Sequence, residues 1–325
     1  MWYPDIFSIQ SLADFERLAL AVFKFQATHN EVYKQFLSYL RFDRESVIGY
    51  KDIPFLPIQF FKSHTIVSTK NAVEQVFTSS GTTGNTTSKH FVTDISLYEK
   101  SYMTAFEFFY GAIEQYTVLC LLPSYLERTG SSLIYMANDF IAKSKKPESG
   151  FYLDNIHALK DTLIELDNRG ERVLLIGVSY ALLAMAEKYR LRLKNTIVME
   201  TGGMKGRRKE LIRTELHQRL REGFGVAAIH SEYGMTELLS QAYSKGNGIF
   251  ETPPWMKILI RDTEDALQLV PHGSTGGINI IDLANINSCS FIATQDLGNM
   301  LTDTSFEVLG RFDHADIRGC NLLLN

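Results

Sequence analysis

Cysteine is scarce in this chain. Its three cysteines, Cys120, Cys289 and Cys320, are an odd number with no Cys-x-x-Cys spacing, which weighs against a disulfide framework or a zinc cluster and fits reduced thiols. A cytoplasmic location is the resulting expectation. No stretch approaches the ~18 apolar residues of a membrane span. The N-terminus Met1-Trp2-Tyr3-Pro4-Asp5 lacks a basic segment followed by an apolar one, so no export signal is expected either. Excess positive charge is missing too: 33 Lys and Arg against 37 Asp and Glu leave a net charge of −4, which offers no footprint for nucleic acid or an anionic membrane. Internal repeats, low-complexity tracts and flexible linkers are absent. What is present is ordinary globular composition, 45% hydrophobic and 22% charged over 325 residues, enough for a sizeable core and about two domains.

Leu12, Phe15, Leu18, Phe23, Phe25, Phe36, Leu37 and Leu40 recur at helical spacing, interrupted near Thr28-His29-Asn30, so helices are expected over 11–40. In Ile53-Pro54-Phe55-Leu56-Pro57 each proline forces extended backbone before it. Beyond residue 95 the pattern alternates. Helices are predicted over 96–115, 132–143, 156–166, 181–192 and 207–221, and apolar strands over 118–122, 173–176, 196–199 and 226–229. Continuous apolar strands alternating with amphipathic helices predict an α/β fold with mostly parallel sheets flanked by helices. From about residue 255, short β-rich stretches at 257–260, 277–281, 290–293 and 306–309 are separated by Gly, Asp and Asn turns, which predicts a small β-rich subdomain. The expected division is an α/β core over 1–254, including the N-terminal helices, and a β-rich part over 255–325.

Between these regions, Thr78-Ser79-Ser80-Gly81-Thr82-Thr83-Gly84-Asn85-Thr86-Thr87-Ser88-Lys89 holds only hydroxyl, amide and glycine residues before its lysine. It cannot be core. Glycines let backbone N–H groups approach a polyphosphate closely, while the hydroxyls and Lys89 supply further donors. A polar hairpin turn is the plainer alternative. A Walker A loop is excluded, because that motif needs Gly-Lys-Ser/Thr whereas Ser88 precedes Lys89 and His90 follows it. Further along, Glu237 suits a Mg²⁺ ligand beside bound phosphates, although a Glu after Thr236 also suits a helix start. Asp296, in Gln295-Asp296-Leu297-Gly298, can accept two sugar hydroxyls or shape a turn. Arg311 reads equally well as a surface ion pair.

The order of these residues resembles the adenylate-forming superfamily of acyl and aryl acid–AMP ligases, whose phosphate loop reads Ser/Thr-Ser-Gly-Thr-Thr-Gly followed by lysine. The resemblance implies that ATP and Mg²⁺ are used, and that Ser79, Ser80, Gly81, Thr82, Thr83, Gly84 and Lys89 meet the phosphates. Gly202-Gly203-Met204 stands where the superfamily runs its backbone along adenine. Glu232-Tyr233-Gly234-Met235-Thr236-Glu237 resembles its Tyr-Gly-x-Thr-Glu motif, which implies that Tyr233 stacks on adenine, Thr236 meets phosphate and Glu237 holds Mg²⁺. Asp296 takes the place of the ribose-binding aspartate, and Gly310-Arg311-Phe312-Asp313 resembles the segment before a hinge.

Within the superfamily the chain most resembles the acyl-protein synthetases of bacterial luminescence, the LuxE family, with phenylacetate–CoA ligases next. Supporting residues are the Ile53 to Pro57 segment, Leu122-Pro123-Ser124, and Asp313-His314-Ala315-Asp316-Ile317-Arg318-Gly319-Cys320-Asn321. Two departures stand out: Ser88 replaces the usual proline before the loop lysine, and only twelve residues follow Asp313. The mobile C-terminal domain with its catalytic lysine is therefore expected to be absent. The likeness implies activation of a carboxylic acid, a fatty acid above all, to acyl-AMP. The acyl group then passes to a thiol: Cys320 with Arg318 and His314 as activators, a carrier protein in concert with a reductase partner, or coenzyme A. For Cys320 the competing reading is a buried, inert thiol, and Cys120 and Cys289 are expected to be structural.

Two rival functions remain at this level. Gly177-Val178-Ser179-Tyr180-Ala181 follows an apolar strand and nearly spells a nucleophile elbow, which would make the chain an α/β-hydrolase or acyltransferase acting through Ser179. A catalytically inactive nucleotide-binding protein is the other. Gly223-Phe224-Gly225, a loose dinucleotide fingerprint in the wrong helix-to-strand order, is expected to be a helix C-cap.

Overall fold

The computed structural model describes residues 5–79, 87–123, 130–202 and 211–312. They fall into two compact units, one formed within 75–89 and 94–253, the other within 5–74, 90–93 and 254–312. In the first, the strands Gly150–Phe151, Thr117–Leu121, Val173–Val178, Thr196–Thr201 and His230–Tyr233 lie side by side in that order and all run parallel. Ala242–Ser244 and Ile249–Glu251 extend this sheet in the antiparallel sense. Thr117–Leu121 and Val173–Val178 are buried at every position, which is why they read as unbroken apolar runs.

Helices connect the strands. Asp94, Ser131 and Asn155 accept the backbone N–H groups of Ser96, Ile134 and Ala158, opening the helices Ile95–Tyr110, Ser132–Ser144 and Ile156–Asn168. Gly111, at φ 83°, ends the first of these before residue 115, and Ile113–Gln115 forms a separate 3-10 turn. The helices Ser179–Lys188 and Arg213–Phe224 touch through their small residues: a Cβ on Gly223 would sit 2.4 Å from Ala186 Cβ. Gly225 caps the second helix at φ 68°, as its sequence context predicts. A strand over 226–229 is not found. Val226, Ala227 and Ala228 remain partly or fully exposed, and the strand is His230–Tyr233, whose polar side chains an apolar pattern does not detect.

The second unit is built on an antiparallel sheet of Met256–Arg261, Gly276–Asp282, Phe291–Met300 and Ser305–Arg311, with Leu56–Pro57 added parallel to Phe291–Met300. The N-terminal helices Leu12–His29 and Glu31–Tyr39 belong here, not with the α/β strands. Buried polar side chains attach them. Gln26 donates to Asn285 O and Ile286 O, both at 3.0 Å, and accepts the Ser290 N–H at 2.9 Å. Asn30 donates to Ser288 O at 2.9 Å, and Tyr33 OH donates to Pro54 O at 2.6 Å. Among the described residues no helix is long and apolar enough to cross a membrane.

Candidate active site

Ser80, Gly81, Thr82, Thr83, Gly84, Gly203, Met204 and Cys320, with His314 and Arg318, lie outside the described residues. The two ends of the glycine-rich segment are fixed by a reciprocal pair. Ser79 N–H donates to Ser88 O at 3.1 Å, and Ser88 N–H donates to Ser79 Oγ at 2.9 Å. A proline has no N–H, so the departure from the ligase pattern at 88 coincides with a bond that proline would not make. Lys89 opens the strand Lys89–Val92 and its side chain is exposed.

Gly202 and Gly234 follow directly on parallel strands that pair with Thr201 opposite Glu232. Carboxyl ends of parallel strands are where open α/β sheets collect ligands. Gly202 has φ 71°, a left-handed conformation that strains any other residue. Tyr233 closes its strand with its ring 5.9 Å from Phe250. Thr236 and Glu237 occupy the next turn, closed by Leu238 N–H donating to Met235 O at 3.1 Å. Glu237 is only 6% exposed.

Beneath Gly202 lies a buried cage of which the sequence singled out only Ser179, as a candidate nucleophile. Ser179 Oγ lies 2.9 Å from Glu200 Oε2 and 2.5 Å from Gly202 O. Ser231 donates to Glu200 Oε1 at 2.9 Å, His217 Nε2 lies 3.5 Å from the same oxygen, and Arg213 Nε lies 4.0 Å away. Burial pushes the Glu200 carboxyl up, but the hydrogen bond with His217, the Arg213 charge and Ser179 together hold it below the ordinary carboxylate value. Ser179, Glu200 and His217 follow one another in the chain order of a hydrolase triad, yet the geometry is different. The serine hydroxyl points to the carboxylate and to a carbonyl, while the imidazole meets Glu200 and Ser231. A triad serine needs the imidazole within reach as its base, and here His217 is turned to Glu200 and Ser231 instead of Ser179. Besides Ser179, the advance signal of this cage was a glutamate directly after the apolar run Ile197-Val198-Met199.

In the second unit Asp296 pairs in register with Arg311, whose Nε donates to Asp296 Oδ1 at 3.1 Å. The guanidinium of Arg261 is buried and donates to Ile278 O at 2.9 Å, Asn279 Oδ1 at 2.8 Å and Thr294 O at 2.6 Å. Its guanidinium also lies 5.5 Å from the centre of the Phe312 ring, an attractive cation–π approach. Phe312 N–H in turn donates to Gln295 O at 2.9 Å. Cys120 and Cys289 are fully buried; burial raises both thiols, Cys289 up to about 12, so neither is a nucleophile at neutral pH.

The sequence profile of the acyl-protein synthetase family LuxE matches residues 130–325. A long-chain-fatty-acid–luciferin-component ligase of Vibrio harveyi is 22% identical, covering 100% of this chain and 91% of that protein. Among solved structures, ATP-bound MatB from Rhodopseudomonas palustris aligns with a TM-score of 0.55 at 16% identity over 75% of this chain and 49% of its own. A 2-hydroxyisobutyryl-CoA ligase in complex with 2-HIB-AMP and CoA aligns at 0.62 and 12% identity over 94% of this chain and 72% of its own. The chain thus spans about half the length of MatB.

Proposed function

The chain belongs to the LuxE family of acyl-protein synthetases, and from that premise we propose that it activates a carboxylic acid with ATP and passes the acyl group to a thiol. The observation that carries this reading is the gathering of Gly202, Tyr233, Thr236 and Glu237 at the carboxyl ends of adjacent parallel strands. In the first half-reaction a carboxylate oxygen bonds to the α-phosphorus. The bond from that phosphorus to the bridging oxygen of the β-phosphate breaks, and pyrophosphate leaves with the electron pair. In the second, a thiolate sulfur bonds to the acyl carbon and AMP leaves with the electrons of the broken acyl–oxygen bond.

Tyr233 and the backbone at Gly202 flank the adenine in this reading, Asp296 accepts from the ribose, and Ser79 through Gly84 with Lys89 donate to the phosphates. Positioning and charge stabilisation supply the rate. Glu237 suits Mg²⁺, because that ion is held by one or two protein carboxylates and completes its shell with phosphate oxygens and water; among the described residues there is no cluster of three or more His, Cys, Asp or Glu that would suit a different metal centre. When bound, the ion neutralises charge on the departing pyrophosphate. A fatty acid is the first acid to test, since the Vibrio harveyi relative is named for one. Cys320, a carrier protein thiol and coenzyme A are the candidate acceptors.

Exchange of labelled pyrophosphate into ATP should require both Mg²⁺ and an acid, and Glu237→Gln should lower it by roughly 100-fold or more. ATP binding with no exchange for any acid in an aliphatic and aromatic panel would make the chain an inactive nucleotide-binding protein instead. With the preferred acid, a hydroxylamine-sensitive adduct that Cys320→Ser abolishes would assign the acceptor to the chain itself.

A further inference from the structure

Around the helix Ile95–Tyr110, buried tyrosine hydroxyls find partners one after another. Tyr98 donates to Ser132 O at 2.9 Å, Tyr102 to Asp139 at 2.6 Å and Tyr116 to Tyr110 O at 2.8 Å, while Tyr110 OH lies 3.2 Å from His230 Nδ1. Tyr243 breaks the rule. It is 2% exposed, its ring packs 5.4 Å from Phe109 and 5.5 Å from Tyr110, and its hydroxyl has no hydrogen-bond partner among the described residues. The same holds for Gln241 Oε1, in a side chain only 4% exposed. Leaving a buried polar atom unmatched costs about 1–3 kcal/mol, so two of them two residues apart call for an explanation.

Their place on the sheet supplies one. Glu232 pairs with Tyr243 and Tyr233 with Ala242, so Glu232, Gly234, Gln241 and Tyr243 share one face, opposite to Tyr233. A Cβ on Gly234 would lie 2.3 Å from Glu232 Oε1 and 3.3 Å from Gln241 Cγ; the glycine is what lets these two side chains converge at the strand end. If Tyr233 covers the base, the face left for the acid is the one bearing Gln241 and Tyr243, walled by the helix through Ser101 and Ser240, whose hydroxyls lie 3.0 Å apart.

We infer that Gln241 and Tyr243 form a polar subsite for the acid's chain, and that the substrate is a hydroxy-substituted carboxylic acid. A single hydroxyl can donate to Gln241 Oε1 and accept from Tyr243 OH, which satisfies both orphaned groups. This rests on the ligase reading above. Sites built to pair a hydroxyl reject the analogue that lacks it, because the buried partners are then left unmatched.

The test is acid-dependent pyrophosphate exchange with pairs of acids matched in chain length, unsubstituted against 2-hydroxy and 3-hydroxy, for the wild type, Gln241→Leu and Tyr243→Phe. The wild type is expected to favour a hydroxy acid by about tenfold or more in kcat/KM, and each variant to bring that ratio towards one. Tyr243→Phe should fold at least as stably as the wild type, since it deletes an unpaired hydroxyl, and should lose the rise in Tm that the hydroxy acid gives the wild type. Equal use of both acids by the wild type, or a preference that survives in both variants, overturns the subsite and leaves the ligase reading standing. Exchange with no acid of either kind overturns the ligase reading, and the subsite with it.

Discussion

Arg311 and Asp296 face each other across paired strands, with the guanidinium Nε donating to Asp296 Oδ1 at 3.1 Å. The aspartate is 10% exposed and the arginine 80%, so a sheltered carboxylate is steered by a side chain that reaches into solvent. Asp296→Asn keeps the shape and removes the charge. If Asp296 accepts ribose hydroxyls, the KM for ATP rises by about 10- to 100-fold, the worth of a hydrogen bond to a charged group. The variant also loses discrimination against the 2′,3′-dideoxy analogue. An unchanged KM would reduce the pair to a surface ion pair, which contributes little.

Ser179→Ala should act through Gly202 and not on the chemical step. It leaves Glu200 one donor short and releases the Gly202 carbonyl, so urea unfolding should show a loss of about 1–3 kcal/mol. The KM for ATP should rise with kcat little changed, and Ser179→Thr, which keeps the hydroxyl, should restore it. Abolition of kcat by both substitutions would return Ser179 to the role of nucleophile.

Glu232 gives a pH signature. Burial pushes its carboxyl up, the hydrogen bond from Thr201 holds it down and the Glu200 charge adds to the rise, leaving it at about 7 against an ordinary 4.5. A raised acid favours the fold in its protonated form. Its contribution is complete below pH 4.5 and is lost as pH climbs through about 7. Urea midpoints of the wild type should therefore fall relative to those of Glu232→Gln across that window and run parallel above it. His230 acts with the opposite sign: burial, with Lys245 nearby, takes it from 6.5 down to about 4, so stability drops as pH falls between those values. Comparison with the Gln variant cancels that second effect. A constant difference between the two proteins at all pH values would mean that Glu232 ionises normally.

The strands Thr117–Leu121, Val173–Val178 and Thr196–Thr201 were legible in the sequence because burial writes an apolar run. His230–Tyr233 was not, because it carries His230, Ser231, Glu232 and Tyr233 into the site, and its predicted position fell on the less polar residues before it. The N-terminal helices were visible as helices, but their attachment rests on Gln26 and Asn30, polar residues that a hydrophobic pattern assigns to the surface. Tyr233 to Glu237 could be read as a motif since its members are contiguous. The Ser179, Glu200 and His217 cage, and the pairing of Gln241 and Tyr243 with Glu232, exist only once separate strands lie side by side.

The contact of Gly223 with Ala186 has a mechanical side. Ala186 belongs to the helix that begins at Ser179, and Gly223 to the helix that carries Arg213 and His217. With main chain nearly against main chain, one helix cannot slip along the other without collision, so the two behave as a single strut. That strut grips Glu200 from both sides. A bulkier residue at 223 would pry the helices apart and be felt at the Gly202 carbonyl, which makes a remote glycine part of the gauge that sets the width of the site.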